Sequence, residues 1–348
     1  MESTSPNEHN PSWRINLPLQ SKIEMPLVPH SSYPGPPRYQ WNGHFQTILP
    51  ALTRKINEVH YERERLELSD GDFVDLDWLD AQSQTLIILS HGLEGSTDRV
   101  YMKAAAKYFH EHGWDVLGWN CRSCSGEMNR LLRLYNHGEI GDFGQVIEHA
   151  LQRKNYTKIH LIGYSMGGSI LLKYLGVQGK NIPEPIKTGI AFSSPCDLRD
   201  SIQTLELPGN WFYRRKFFNS LRKKIIAKAA QFPGQIDLSK FEQIKSWRDF
   251  DEFYSAPING YKNAEDFYWQ ASAVNFVAGI QIPALLCNAQ NDPILTPACS
   301  PKELAKNHSY FHVETPKKGG HVGFAIKKHP GPYYWLEHRA MEFIKGQH

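Results

Sequence analysis

The sequence predicts an α/β protein in which helices flank a mostly parallel central sheet. The first observation is an alternation of short apolar segments, rich in strand-forming residues, with segments of helical periodicity. The second is the pentapeptide Gly-Tyr-Ser-Met-Gly at residues 163–167, which lies directly between one such strand and one such helix. Strands that alternate with helices are typical of βαβ units, in which the strands run parallel.

The predicted elements follow one another in a regular order. Residues 1–40 are rich in proline and serine, and we expect an extended arm on the surface. The first two strands flank the turn sequence Ser69-Asp70-Gly71-Asp72, so we expect them to be antiparallel. Eight strands are predicted, at residues 59–68, 73–79, 85–90, 114–119, 158–162, 188–192, 283–289 and 311–314. Helices are predicted at residues 101–110, 143–152 and 166–175, and strand–helix alternation resumes from residue 283.

The alternation is interrupted after the sixth strand. Residues 197–279 are helical in pattern and rich in aromatic side chains, which predicts a helical lid inserted at this point. The predicted organisation is therefore an arm at residues 1–40 and a single domain at residues 41–348 that contains the lid. Because ligands of α/β proteins bind where the parallel strands end, we expect the lid to cover that edge of the sheet.

Ser165, at the centre of the pentapeptide, is the candidate nucleophile. A G-x-S-x-G sequence between a strand and a helix forms a turn that is too tight for side chains at the glycines. Such a turn exposes the serine hydroxyl in a cleft. The alternative is a Gly/Ser-rich turn that matches the pattern by chance, and the flanking strand and helix argue against it.

A serine nucleophile needs a base and an orienting acid. Asp292 follows the strand at 283–289, and His321 lies in a glycine-flanked loop after the strand at 311–314. The chain order Ser165, Asp292, His321 is the order expected for this kind of site. Asp197 is the alternative acid, but only Asp292 lies one strand before His321. The other histidines considered lack the glycine-flanked loop, namely His308, His312 and His329.

The strand at 85–90 runs into His91-Gly92-Leu93-Glu94-Gly95, which is similar to the oxyanion loop of lipases and esterases. In that arrangement a backbone N–H of the loop acts together with the N–H of the residue after the nucleophile. The predicted oxyanion hole therefore consists of the N–H groups of Leu93 and Met166. For His91 we expect no chemical role beyond bracing the loop.

Composition excludes several other classes of protein. The net charge is only +3, from 39 basic and 36 acidic residues, which is too small to indicate a nucleic-acid partner. The first thirty residues lack the apolar segment of a secretory signal, and the longest aliphatic run, at residues 86–89, is too short to span a bilayer. We therefore expect a cytoplasmic protein without a transmembrane segment.

The five cysteines do not predict a disulfide framework or a metal site. Cys121 and Cys124 match the pattern CxxC, but zinc would require a second pair, and the remaining cysteines, Cys196, Cys287 and Cys299, are isolated in the sequence. A CxxC sequence alone is a weak indication of redox or metal chemistry. We expect neither a metal nor a cofactor.

Residues 214–225 combine two basic runs with an apolar stripe formed by Phe217, Leu221 and Ile225 at i, i+4 and i+8. One interpretation is a basic amphipathic helix that contacts anionic lipid or acyl substrates at an interface. The other, which we favour because the net charge is modest, is a helix whose stripe packs on the core while its charges are solvated. Peripheral membrane contact therefore has no support from the sequence alone.

Several segments together resemble the YheT-like branch of the α/β-hydrolase superfamily, from about Trp41 to the C-terminus. The most specific is Trp-Asn-Gly-His-Phe-Gln-Thr-Ile-Leu-Pro at residues 41–50, and the others lie at residues 91–95, 135–138, 163–168 and 319–324. One departure is Ser123, which stands where the family pattern has glycine. Eukaryotic relatives of this family carry an N-terminal membrane anchor that we do not find in this sequence.

The resemblance implies the α/β-hydrolase fold, a Ser165–His321–Asp292 triad and serine esterase activity on acyl esters. The sequence thus predicts a cofactor-free carboxylic ester hydrolase whose partner is a small acyl ester of short to medium chain length. Aromatic side chains of the lid would line the acyl pocket. Two alternatives remain open: acyl transfer to an alcohol at the same site, and a non-catalytic binding protein on a hydrolase scaffold.

Overall fold

The computed structural model describes residues 27–57, 59–327 and 331–347. The predicted arm lies outside the described residues as far as residue 26, and so does His329. The described strands are β1 (Glu62–Glu67), β2 (Phe73–Leu79), β3 (Thr85–Ser90), β4 (Asp115–Asn120), β5 (Lys158–Tyr164), β6 (Ile186–Phe192), β7 (Ala284–Cys287) and β8 (Phe311–Glu314). Each of them was predicted from the sequence.

All eight strands form one sheet in the order β1-β2-β4-β3-β5-β6-β7-β8. The pairs β1–β2 and β2–β4 are antiparallel. All the other neighbouring pairs are parallel, namely β4–β3, β3–β5, β5–β6, β6–β7 and β7–β8. The predicted fold class, a mostly parallel sheet that begins with an antiparallel pair, is confirmed. Since β5, β7 and β8 run in the same direction, the loops that follow them meet at one edge of the sheet.

Helices cover both faces of the sheet. They are α1 (Gly43–Thr53), α2 (Val100–Glu111), α3 (Ile140–Arg153), α4 (Met166–Gln178), α5 (Leu198–Leu205), α6 (Trp211–Gln231), α7 (Trp247–Phe250), α8 (Ala256–Ile258), α9 (Ala264–Ala271), α10 (Lys302–Lys306) and α11 (Trp335–Lys345). A π-helical turn, Asp251–Ser255, joins α7 to α8. Among the described residues, no helix has both the length and the apolar character required to cross a bilayer.

The helix α1 was not predicted from the sequence. It begins with a glycine and contains Pro50, and both residue types have a low helix propensity. Their presence masks the helical periodicity of this segment. Its N-terminus is stabilised by Asn42, whose side chain accepts a hydrogen bond from the N–H of Phe45. Pro50 is tolerated in the last turn of this short helix, where the chain leaves the helix at Arg54.

The helical insertion after the sixth strand contains α5 to α9. On α6, Phe217 and Leu221 pack against the buried residues of the insertion, and Ile225 is itself buried. The part of the favoured interpretation that concerns the stripe, its packing on the core, is therefore confirmed. The interpretation was wrong for Lys224, which is not solvated: its side chain is 14% exposed and forms an ion pair with Glu94.

The loop after β4 explains how Ser123 replaces a glycine. Ser123 has a φ of 61°, so the loop retains a left-handed backbone that glycine would adopt without strain. Its hydroxyl accepts a hydrogen bond from the N–H of Asn129 at 3.0 Å, which helps to hold this conformation. The adjacent Arg122 is buried and forms ion pairs with the buried carboxylates of Asp72 and Asp142.

Replacement of Arg122 with leucine should destabilise the fold. The change would leave two buried carboxylates without their cation, and breaking a buried pair in this way costs about 3–5 kcal/mol. Arg199→Leu is the control, because Arg199 and its partner Glu265 are both largely exposed, and such pairs contribute about 1 kcal/mol or less. Urea unfolding of both variants measures the two losses, and equal losses would contradict the prediction.

Candidate active site

Ser165 lies in the sharp turn between β5 and α4. Its backbone is in the left-handed region, with φ 53° and ψ −122°, which is unusual for a serine. The turn packs so closely that a side chain at Gly167 would collide with the carbonyl oxygen of Ser90. The predicted tight turn is therefore present, and it places the Ser165 hydroxyl at the edge of the sheet.

Asp292 and His321 approach Ser165 from the loops after β7 and β8. His321 Nε2 lies 2.9 Å from Ser165 Oγ, and His321 Nδ1 lies 2.9 Å from Asp292 Oδ2. An ionised carboxylate can only accept a hydrogen bond, so Nδ1 carries the proton and Nε2 is free to accept the serine proton. The Asp292 side chain is fully buried, and its other oxygen accepts from the N–H of Ile294 at 2.9 Å.

The alternative residues occupy other positions. Asp197 caps the N-terminus of α5, where its side chain accepts a hydrogen bond from the N–H of Asp200 at 3.1 Å. His312 is buried within β8, and the ring of His308 accepts hydrogen bonds from the N–H groups of Tyr310 and Phe311. The structure thus brings together Ser165, Asp292 and His321, the three residues selected from the sequence.

The helix α1 holds the histidine loop in place. Thr47 Oγ1 accepts a hydrogen bond from the N–H of His321 at 2.8 Å. Gln46 Oε1 accepts from the N–H of Gly319 at 2.8 Å and from the Asn291 side chain at 2.9 Å. Asn291 in turn accepts from the N–H of Gly320 at 3.1 Å. These bonds tie the segments that carry Asp292 and His321 to the same helix.

Sequence reasoning did not assign a role to Gln46, Thr47 or Asn291. The His-x-Gln-Thr sequence is the most specific segment of the resemblance, but the partners of Gln46 and Thr47 lie more than 240 positions away in the chain. The close packing is visible at Gly323, where any side chain would collide with the carbonyl oxygen of Gln46. An unusual polar pair on a short helix was the only available signal, and it did not identify the loop that the helix contacts.

The loop after β3 lies beside Ser165, and hydroxyl groups fix its backbone. The N–H of Gly92 donates to Tyr101 Oη at 3.0 Å, and the N–H of Glu94 donates to Tyr135 Oη at 2.9 Å. Within the described part of the chain, the intervening N–H of Leu93 and the N–H of Met166 have no protein acceptor. Leu93 lines the same cavities as Ser165, which agrees with the predicted oxyanion hole.

His91 braces this loop, as the sequence suggested. Its Nδ1 donates to the carbonyl oxygen of Gly92 at 2.8 Å, and its Nε2 accepts from the N–H of Cys121 at 3.1 Å. Complete burial lowers the pKa of His91 to about 4, so the ring stays neutral at physiological pH. A neutral ring with one donor and one acceptor satisfies both contacts.

Glu94 connects the loop to the helical insertion. Its φ is 52°, and its carboxylate forms an ion pair with Lys224 at 2.8 Å. Ser220 of the same helix, α6, and Tyr135 both donate hydrogen bonds to it. The Lys224 ammonium, together with these donors, holds the pKa of Glu94 below its usual value against the effect of burial. The neighbour of the predicted oxyanion donor is therefore anchored by α6.

Two cavities meet at Ser165 and His321. The inner cavity, about 80 Å³, lies beneath α5, α6 and α7, and its apolar lining includes Ile202, Leu205, Phe217, Trp247 and Phe267. The outer cleft, about 300 Å³, lies between α1, the loop after β3 and the first turns of α6. Phe217 and Leu93 border both. Other aromatic residues of the insertion, such as Phe218, Phe250 and Tyr254, pack against one another.

Polar groups lie at one end of the inner cavity. Asp251, in the π-helical turn, is completely buried, and Tyr268 Oη donates to its Oδ2 at 2.8 Å. Burial raises the pKa of Asp251 to about 7, so the carboxyl is substantially protonated at neutral pH. His137 lines the same cavity, and burial lowers its pKa to about 4. The polar end therefore carries at most a partial negative charge at neutral pH.

Cys121 and Cys124 are free thiols. Cys121 is buried and Cys124 is half-buried, and desolvation raises the pKa of each thiol. Cys124 Sγ lies 3.3 Å from Lys224 Nζ. Buried thiols with a raised pKa are poor nucleophiles, and their position indicates a packing role.

Comparison with known proteins places this geometry in a family. Residues 85–327 match the family model of the α/β-hydrolase fold. The chain is 32% identical over 311 residues to the Escherichia coli K12 protein named "Putative esterase YheT". The match covers 87% of this chain and 90% of that protein. The chain is 28% identical to the phospholipase ABHD3 of Mus musculus over 92% of this chain and 79% of that one.

A solved structure supports the same assignment of the fold. The Pyrococcus furiosus esterase Pf2001 superposes with a TM-score of 0.55 at 17% identity, over 84% of this chain and 95% of that one. The sheet order, the turn at Ser165 and the sequence match all agree. The chain therefore belongs to the YheT-like family of the α/β-hydrolase superfamily and is a hydrolase.

Proposed function

We propose that this protein hydrolyses carboxylic esters of short- to medium-chain acids through Ser165, His321 and Asp292. The proposal is supported above all by the continuous hydrogen-bonded chain from Asp292 through His321 to Ser165, with both distances 2.9 Å. His321 Nε2 would take the proton of Ser165 as the hydroxyl oxygen attacks the ester carbonyl. Asp292 would orient the imidazole and stabilise its charged form.

The remaining steps use the same residues. The N–H groups of Leu93 and Met166 would bind the oxyanion of the tetrahedral intermediate, and loss of one such donor costs about 3–4 kcal/mol of transition-state stabilisation. Collapse of the intermediate would release the alcohol, which takes its proton from His321, and leave the acyl group on Ser165. Water deprotonated by His321 would then attack the acyl-enzyme and release the acid.

The inner cavity is the proposed acyl pocket. Its lining is mainly aliphatic and aromatic, which suits an alkyl chain, and it opens directly beside Ser165. The outer cleft would hold the alcohol part of the ester. Ester chemistry also agrees with the names of the relatives, which are those of an esterase and a phospholipase. The insertion after β6 would act as the lid over this pocket.

Ser165 should react covalently with a fluorophosphonate probe at neutral pH, because His321 activates its hydroxyl. Ser165→Ala should abolish both labelling and hydrolysis of p-nitrophenyl butyrate, while circular dichroism and the unfolding midpoint confirm that the fold is intact. Wild-type protein that remains unlabelled would favour a non-catalytic binding protein. Acyl transfer would be recognised by an ester product when an alcohol is added as acceptor.

Asp292→Asn should lower kcat far more than Asp197→Asn. An amide in the place of Asp292 can hold the wrong imidazole tautomer and cannot stabilise the imidazolium, and a comparable substitution in a serine protease costs roughly 10⁴ in kcat. Asp197 caps α5 and has no contact with His321, so its variant should lose some stability and little activity. Steady-state kinetics of both variants decides which aspartate is the acid, and a larger loss at Asp197 would reverse our assignment.

For p-nitrophenyl esters, kcat/KM should rise from acetate through butyrate to medium chain lengths and then fall. Each buried methylene contributes up to about 0.8 kcal/mol, or roughly fourfold, until the chain fills the pocket. Ile202→Phe should move the optimum to shorter esters, since Ile202 lines the inner cavity. Phe253→Leu is the control, because Phe253 packs in the separate aromatic cluster. A flat profile in wild type would contradict the assignment of this cavity.

A further inference from the structure

Large apolar side chains remain exposed around the mouth of the outer cleft. One side of the cleft carries Trp41, which is 67% exposed, and residues of α1. The other side carries residues of the turn that precedes α6 and of the first turn of α6. These exposed residues are Trp41, Phe45, Leu52, Leu207, Trp211 and Phe212, of which Leu52 and Phe212 line the cleft itself. Single exposed apolar residues are common, but a contiguous group bordering a cleft usually marks an interaction site.

The two sides are in direct contact. The ring of Trp41 contacts that of Phe45 at a tilt of 45°, with centroids 5.0 Å apart, and the ring centroids of Trp211 and Phe212 are 6.2 Å apart. Between the pairs, the ring of His44 stacks on Tyr213 at 5.8 Å, with His44 Nδ1 3.3 Å from the Tyr213 hydroxyl. The exposed residues around this contact therefore form one surface, which we call the rim.

The outward face of α6 continues the rim with positive charge. At 3.6 residues per turn, the exposed residues of α6 up to Ile226 lie within an arc of about 140°. They are Trp211, Phe212, Arg215, Lys216, Asn219, Arg222, Lys223 and Ile226. No acidic residue occurs anywhere in α6. Within the described chain, none of the four cations on this arc forms an ion pair.

This combination has a known physical meaning. A solvated helix face normally mixes both signs of charge, and here Arg214 shows the usual arrangement by pairing with Glu206. Unpaired cations interspersed with tryptophan, phenylalanine and isoleucine instead match the composition of helices that lie in a lipid interface. The inward stripe of α6 packs on the core, so the outward arc requires no partner for folding.

We propose that the rim and the outward arc of α6 dock the protein on the surface of an anionic lipid bilayer, with the mouth of the outer cleft facing the lipid. The cations would bind headgroup phosphates, while the exposed rings and Leu52 enter the interface. In one respect the proposal rests on the proposed function, namely that the substrates are esters. In this orientation, lipid esters would reach Ser165 without crossing bulk water. A second copy of the chain is the competing occupant of the apolar rim, but like charges on α6 would oppose that contact.

Vesicle co-sedimentation tests the proposal with the full chain. Wild-type protein should sediment with vesicles of phosphatidylcholine and phosphatidylglycerol, much less with phosphatidylcholine alone, and progressively less as salt is added. Arg215→Glu with Lys223→Glu, and separately Trp41→Ser with Trp211→Ser, should each weaken binding at least about tenfold. The matched controls are Lys158→Glu with Lys180→Glu, at the opposite edge of the sheet, and Trp269→Ser, which is equally exposed on α9.

The outcomes separate the two proposals. The rim variants should still hydrolyse water-soluble p-nitrophenyl butyrate at the wild-type rate, while losing activity on esters embedded in anionic vesicles. Hydrolysis without any vesicle binding would overturn the docking proposal and leave the proposed function intact. Vesicle binding by wild type and by Ser165→Ala, without hydrolysis of any ester by wild type, would support the docking proposal and overturn the proposed function. A wild-type dimer in sedimentation velocity that dissociates in the tryptophan variant would assign the rim to self-association and overturn lipid docking.

Discussion

The left-handed backbone at Ser165 is the constraint on which the site depends. Such a conformation costs about 1–3 kcal/mol and persists only where the surroundings enforce it. Here β5 is hydrogen-bonded to neighbours on both sides, and the first ten residues of α4 are all buried. A strand and a helix that are both fixed in the core leave the connecting turn no room to relax. Ser165 is therefore the fixed reference point of the candidate site, and Asp292 and His321 must be brought to it.

The loops of Asp292 and His321 are brought to Ser165 by contacts from distant parts of the chain. His321 lies seven residues beyond the end of β8, so the strand alone cannot fix its ring. Thr47 and Gln46 bind the backbone of this loop, and Ser193 accepts from the N–H of Val322 at 2.9 Å. Because α1 contacts both loops, the distance between Asp292 and His321 is set by their contacts to one helix rather than by two independent loops.

The sequence was sufficient to predict the sheet and to select the three residues that the structure brings together, because those signals are local. A strand period, a G-x-S-x-G turn and glycines around His321 can each be recognised within about ten residues. The contacts of Gln46 and of Glu94 could not be predicted, since each joins segments that are far apart in sequence. Lys224 shows the same limit: its helical period identifies an amphipathic helix, but only the tertiary structure reveals that this cation lies inward, opposite Glu94.

The Glu94–Lys224 pair fixes the position of α6, whose two faces differ in character. Its inward face borders both cavities through Phe217 and holds the loop that carries Leu93, while its outward face presents cations and aromatic rings to solvent. A displacement of α6 would remove the cation from a carboxylate that is mostly buried, at a substantial cost in free energy. The packed position of the helix is therefore favoured, and with it the loop geometry that orients Leu93 toward Ser165. Access for an ester through the outer cleft does not require this displacement, because the cleft opens between α1 and the first turns of α6.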